Sequence, residues 1–221
     1  MEERTIAVVL AAGKGSRMHM DIQKQYAELL GRPVIAHTLE AFEKSEVDAV
    51  ILVVGEGEIS FAREEIVNRC GFQKVARIVT GGKERYESVY RGLCAEDGAD
   101  YVLIHDGARP WVSQKNLDAL LDALEKNPAC LLMVPAKETV KIVEKGIVKQ
   151  TLKREQLWMA QTPQAFDTRL IISCYKKAAD LGIEATDDAQ VVEETCDMPV
   201  MCVKGSYDNI KITTREDLKG K

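Results

Sequence analysis

Cations and glycines crowd the start of this chain. Gly13-Lys14-Gly15-Ser16-Arg17 follows an apolar run, and Lys24 comes soon after. Glycines let the backbone approach a ligand and turn its N–H groups toward anionic oxygen. Lys14, Arg17 and Lys24 beside such a loop suit a polyphosphate, so phosphoryl or nucleotidyl transfer is the first chemistry to consider. The loop is not G-x-x-x-x-G-K-[ST]. It is not a full G-x-G-x-x-G either, because Met18 holds the third position, which disfavours a NAD-dependent dehydrogenase. A tight turn carrying solvated charges is the alternative for the loop taken alone.

Further along, Gly81-Gly82-Lys83-Glu84-Arg85-Tyr86-Glu87-Ser88 follows one strand-like run and opens a helical pattern. A helix start has unpaired N–H groups and partial positive charge. With Arg85 and Ser88 as added donors, it suits a base, ribose or phosphate; a plain glycine turn is the alternative. His105-Asp106-Gly107-Ala108-Arg109-Pro110 ends another apolar run. Asp106 there suits Mg²⁺, which takes oxygen ligands and keeps substrate phosphates. It could instead cap a turn or pair with Arg109. His105 reads as a packed strand residue rather than a base. Asp208 and Lys211, in Asp208-Asn209-Ile210-Lys211-Ile212-Thr213, suit a second metal-side carboxylate and a phosphate contact. Trp158–Phe166 reads as a loop fixed by Pro163, with polar side chains for a ligand. No Ser or Cys nucleophile with a matching His stands out.

These residues need a frame. Strands are expected at Ile6–Ala12, Ala49–Val54, Lys74–Thr80, Tyr101–His105, Cys130–Pro135, Val200–Lys204 and Ile210–Thr213. Several are continuously apolar, as in strands covered on both faces. Helical patterns occupy Val34–Phe42, Glu58–Cys70, Glu84–Ala95, Gln114–Lys126, Arg169–Leu181 and Asp187–Glu194, with Pro33 in a first turn and Ser113 and Asp167 as N-caps. The alternation predicts an α/β fold with a mostly parallel, doubly wound sheet that binds ligands beyond its strands' carboxyl ends. Residues 139–157 break the pattern: β-rich pieces flank Lys145-Gly146, the mark of a hairpin arm. An isolated hairpin is marginal in water, so the arm packs either on a second subunit or back on its own domain. One domain is expected for residues 1–221.

Composition sets the bounds. The chain has 221 residues, 46% hydrophobic, and a formal net charge of -5. No global basic field draws it to nucleic acid or membrane. Its apolar runs are too short to span a bilayer, and Met-Glu-Glu is no secretory start, so a cytoplasmic location is expected. The cysteines lack C-x-x-C spacing and are expected to be mostly small, reduced core residues.

Taken in order, AAGKGSRM, Lys24-Gln25, GGKERYESV, HDGARP, QTPQAF, TDDA and DNIKIT resemble the 2-C-methyl-D-erythritol 4-phosphate cytidylyltransferase family over nearly the whole chain. The resemblance implies a Rossmann-like nucleotidyltransferase with a dimerising arm at about 139–157. It uses CTP, a polyol phosphate and Mg²⁺ or another divalent cation. By that resemblance Ala11, Ala12, Gly13, Lys14 and Gly15, with Gly82, Lys83, Arg85, Ser88, Asp106 and Gly107, hold CTP. Arg17 and Lys24 stabilise the transition state. Asp106 and Asp208 lie beside the metal. Asp106, Arg109, Thr139, Arg154, Thr162, Thr186 and Lys211 meet the acceptor, with Arg154 and Lys211 orienting its phosphate and the arm's Thr139 and Arg154 reaching a neighbouring subunit. The chain departs from the family's pattern at Gln23, usually Pro, which bears on loop rigidity, and at Gly107 in HDGARP, usually Ala, which leaves room for the nucleotide. It ends at Lys221, where the family's last helix commonly runs on; this bears on local stability more than on catalysis. The alternatives are a ribitol-5-phosphate cytidylyltransferase, less favoured because that family tends toward AGG and HDAVRP, and a nucleotide-binding homologue that has lost catalysis.

Overall fold

A computed structural model describes residues 3–13 and 23–219. The sheet is built on β1 (Thr5–Ala11), whose alternate side chains enter different cores. Ala7, Val9 and Ala11 face one layer, Ile6 and Val8 the other, as the two-residue period of a strand dictates. A short β2–β3 pair (Glu28–Leu29, Arg32–Pro33) leads into α1 (Val34–Glu43), for which Pro33 is the N-cap. Then come β4 (Ala49–Val54) and α2 (Ile59–Phe61), which continues as a π-helical stretch over Ala62–Asn68. After these follow β5 (Val75–Thr80), α3 (Arg85–Cys94), β6 (Tyr101–Asp106), α4 (Gln114–Leu124) and β7 (Ala129–Pro135). The arm is β8 (Lys141–Glu144) and β9 (Ile147–Thr151). β10 (Trp158–Asp167), α5 (Thr168–Leu181), α6 (Asp188–Thr195) and β11 (Met201–Lys204) complete the frame.

The strand order is β11-β7-β10-β6-β1-β4-β5. All neighbours are parallel except β10, which runs antiparallel to both β6 and β7. Helices α1 and α4 cover one face, with Phe42, Leu117 and Leu120 in the core. Helices α3, α5 and α6 cover the other, with Val89, Leu93, Ile171 and Val192. The expected caps are in place: Ser113 accepts from Asn116 N, and Asp167 from Leu170 N.

Two expected elements differ. Trp158–Phe166 is not a loop but most of β10; its ladder with β7 breaks register between Ala160 and Gln164, where Pro163 has no N–H to give. Ile210–Thr213 forms no strand. Its apolar pattern reflects the burial of Ile212, whose N donates to Ala108 O at 2.7 Å. Nor are the cysteines mostly core: Cys130 and Cys174 are buried, while Cys94 and Cys202 are exposed. Among the described residues no helix is long and apolar enough to cross a membrane.

Candidate active site

Parallel register brings the sequence motifs together. Leu10 lies beside Asp106, Ala11 beside Val54, and Val54 beside Thr80. The loops after β1, β5 and β6 therefore leave the sheet at one edge, next to the point where strand order reverses around β1. Two clefts open there. One, of ≈ 170 Å³, is lined by Ala11, Ala12, Gly13, Lys24, Gly82, Lys83, Arg85 and Ser88, with Asp106 and Lys211 at its back. The other, of ≈ 240 Å³, is lined by Arg109, Gln161, Thr162, Gln164, Thr186 and Asp187. Arg85, Asp106 and Lys211 belong to both linings. They form a charged wall between two cavities.

Asp106 is the centre of that wall. Lys211 Nζ stands 2.7 Å from its Oδ2, Arg85 Nε 3.5 Å from its Oδ1, and Arg109 Nε 3.6 Å from its Oδ2. Burial alone would push the carboxyl pKa up. Arg85, Lys211 and Arg109 outweigh it and hold Asp106 well below the usual carboxylate range. Its backbone is fixed as well: Asp106 N donates to Thr162 Oγ1 at 3.0 Å, and Thr162 Oγ1 lies 3.0 Å from His105 Nδ1. His105 Nε2 lies 3.1 Å from Arg109 O. A carbonyl only accepts, so Nε2 carries the proton and Nδ1 accepts from Thr162. Burial pushes the His105 pKa down to about 4. His105 is thus a neutral strut in the strand.

Lys211 reaches the wall from an irregular segment pinned at several points. Asn209, fully buried, donates from Nδ2 to Thr162 O at 2.8 Å and accepts at its carbonyl from Arg109 Nη1 at 2.8 Å. Gln164 secures the second cleft: its Nε2 donates to Asp187 Oδ2 at 3.0 Å, and its Oε1 accepts from Ala189 N at 2.8 Å. Sequence reasoning gave Gln164 and Asn209 no structural duty, because their partners are distant in sequence.

Lys24 stands between two anchored glutamines. Gln23 Nε2 donates to Glu58 Oε1, and Gln25 donates to Ala11 O. Glu58 also accepts from Tyr26 O–H at 2.9 Å and Gly55 N at 3.0 Å. At Gln23, then, a side-chain bond supplies restraint where the family's usual proline would supply it through the backbone. Nothing in sequence pointed to Glu58, which is not at the motif's edge.

The remaining site candidates lie in several places. Ser88, in the first turn of α3, lines the first cleft with its hydroxyl engaged locally, accepting from Gly82 N at 3.0 Å and donating to Glu84 O at 3.1 Å. Gly107 lines neither cleft. A Cβ there would stand 2.7 Å from Leu10 O and 2.7 Å from Ile35 Cδ1, so its missing side chain serves strand packing, not room for a nucleotide. Asp208 is exposed, outside both linings, and its Oδ2 accepts from Ser206 Oγ at 3.3 Å. Thr139 and Arg154 sit at the base of the arm, exposed, with Arg154 Nη1 donating to Lys137 O at 3.4 Å. Lys14, Gly15 and Arg17 fall outside the described residues. A wider depression of ≈ 710 Å³ lies elsewhere; in its lining Arg32 and Lys44 pair with Glu40, and Arg69 with Glu65.

Residues 5–220 match the family model for 2-C-methyl-D-erythritol 4-phosphate cytidylyltransferase. A protein of that name from Lachnoclostridium phytofermentans is 45% identical over 98% of this chain and 94% of its own length. One from Pelotomaculum thermopropionicum is 47% identical over 98% and 92%. Among solved structures, 4-diphosphocytidyl-2C-methyl-D-erythritol synthase from Anaerococcus prevotii superposes with a TM-score of 0.86 at 35% identity, covering 98% of this chain and 95% of that one. The Thermus thermophilus cytidylyltransferase gives 0.79 at 30%, covering 96% and 94%. The chain belongs to the 2-C-methyl-D-erythritol 4-phosphate cytidylyltransferase family: it is a CTP-using nucleotidyltransferase of isoprenoid biosynthesis.

Proposed function

We propose that the two clefts hold the two substrates of this reaction, CTP on the Ala11–Gly13 and Gly82–Ser88 side and methylerythritol phosphate on the Arg109, Thr162 and Thr186 side. The observation that carries this is the common wall of Arg85, Asp106 and Lys211. In-line transfer needs both phosphates at one boundary. A phosphate oxygen of the acceptor attacks the α-phosphorus of CTP. The new P–O bond forms as the bond to the bridging oxygen breaks, and pyrophosphate leaves with that electron pair. The nucleophile is already an anion, so no base is required, in keeping with a neutral His105. What remains is positioning and charge stabilisation. Lys24, Lys211 and Arg17, the last outside the described residues, supply the cations.

Among the described residues no group of three or more metal-ligating side chains occurs. A single strand-end carboxylate, Asp106, suits Mg²⁺ in its common mode, one protein carboxylate plus substrate phosphates. Asp208 is a second candidate ligand. When bound, the divalent cation neutralises the triphosphate and its leaving group.

Residues 1–221 form one nucleotidyltransferase domain in this reading, and the 139–157 arm makes it a homodimer in the cytoplasm. Support comes from the arm's surface: Val140, Ile142, Val143, Ile147 and Val148 are all exposed, more aliphatic area than a lone hairpin covers. Thr139 and Arg154 would then serve the neighbour's acceptor.

Pyrophosphate release with CTP and Mg²⁺, comparing methylerythritol phosphate with ribitol phosphate, tests the reading. Release with the first alone is expected. Release with ribitol phosphate alone would overturn the acceptor assignment, and release with neither would overturn the assignment of both clefts.

A further inference from the structure

Asp188 belongs to neither cleft lining, yet it governs a side chain that belongs to both. It is 0% exposed. Its Oδ1 accepts from Arg85 Nη1 at 2.9 Å and from Tyr175 O–H at 2.6 Å; its Oδ2 accepts from Arg85 Nη2 at 2.7 Å. This is a fork-on-fork pair with a third donor locking the carboxylate's rotation. Arg85 is left with only Nε toward Asp106, at 3.5 Å, a long contact for charged partners.

The placement of Asp188 is tertiary. It opens α6, whose N-cap Asp187 accepts from Gln190 N, and β10 holds that turn through Gln164. Tyr175 comes from α5. So two helices and a strand converge to aim one guanidinium. Buried ion pairs are poor sources of net stability compared with apolar groups of the same shape, whereas a planar bidentate pair fixes orientation well. The orientation here matters because Asp106 is the other carboxylate that Arg85 contacts, and it already carries Lys211 at 2.7 Å.

We propose that Asp188, seated by Tyr175, is a positioning residue for the nucleotide half of the transfer: it keeps the fork of Arg85 off Asp106, so that at the CTP cleft Asp106 holds Lys211, Arg109 and the single Nε contact of Arg85. The proposal rests on the reading of that cleft as the CTP site. In Asp188→Asn the shape stays and the charge goes. Arg85 then turns its paired nitrogens to Asp106.

The test is calorimetric titration of CTP with Mg²⁺ and no acceptor, together with the acceptor KM from pyrophosphate release at saturating CTP, on wild type, Asp188→Asn, Tyr175→Phe, Arg85→Gln and the Asp188→Asn/Arg85→Gln double variant, with thermal melts alongside. Asp188→Asn is expected to weaken CTP about tenfold or more while the acceptor KM stays within about twofold. Tyr175→Phe should move CTP in the same direction by less. In the Arg85→Gln background, Asp188→Asn should add less than about twofold, because it acts through Arg85. A merely structural role would lower the melting temperature without separating CTP from acceptor. Wild-type CTP affinity in a folded Asp188→Asn, or losses that multiply in the double variant, would overturn the clamp. Should Asp188→Asn not fold, Tyr175→Phe decides by the same separation of CTP from acceptor. A wild-type chain that fails to bind CTP overturns the cleft assignment and the clamp with it.

Discussion

His105 shows how a chemically suggestive residue is disarmed by its surroundings. Its Nε2–H is taken by Arg109 O and its Nδ1 by Thr162, and burial holds the pKa near 4 against an ordinary 6.5. Between those values the unfolded chain binds a proton that the folded one refuses. The stabilisation is complete above about pH 6.5 and is lost as pH falls toward about 4, a swing on the order of 3 kcal/mol. Urea unfolding at pH 7 and pH 5 should show wild type losing stability in acid, and His105→Gln losing less; equal losses would remove His105 from the effect. The sequence made Asp106, Arg109 and Lys211 legible as chemistry because charged types near glycines and strand ends are rare patterns. It could not show that all of them meet on one carboxylate, since that depends on register between β1 and β6 and on a pinned segment around Asn209.

Among the elements, α3 is the one whose placement most directly sets the site, because it carries Arg85 and Ser88. It lies close on the sheet through Gly92. A methyl there would overlap Val8 Cγ1 and come within 3.1 Å of Val53 Cγ2. Helix propensity alone favours Gly92→Ala by about 1 kcal/mol. Overpacking against two strands works the other way, by typically 1–3 kcal/mol. The variant is therefore expected to unfold at lower denaturant, and a rise in midpoint would show that the helix can retreat at no cost. Periodicity located α3 and the parallel strands well, because apolar runs with capping residues are local signals. It missed β10, whose polar middle faces a cleft rather than a core and whose proline reads as a loop.

Across the whole molecule, the arm is the part whose surface the rest of the chain does not explain. Its exposed Val143 and Val148 face each other across the hairpin. Val143→Glu with Val148→Glu should shift sedimentation from dimer to monomer and abolish most turnover while the body melts normally; a variant that stays dimeric would take the interface elsewhere. Mixed Arg154→Ala and Lys24→Ala subunits should regain part of the activity that each lacks, given verified exchange, if one site draws on both chains. The hairpin was legible from Lys145-Gly146, both of which adopt positive φ, whereas its covering was legible only as two alternatives, a second subunit or its own domain, because one sequence marks a contact surface only by the apolar area it leaves exposed. One feature of the sheet gives this arm its mechanical character. β10 leaves the arm and runs backwards into the middle of the sheet, bonded on both sides by β6 and β7, and Ala136 N closes on Leu157 O at 2.8 Å just outside it. The arm is a cantilever whose root runs into the lining of the cleft around Arg109 and Thr162. A load on the arm would reach Gln161, Thr162 and Gln164 along one covalent path, through the helical turn at Arg154–Gln156 and into the stretch where the ladder with β7 breaks register.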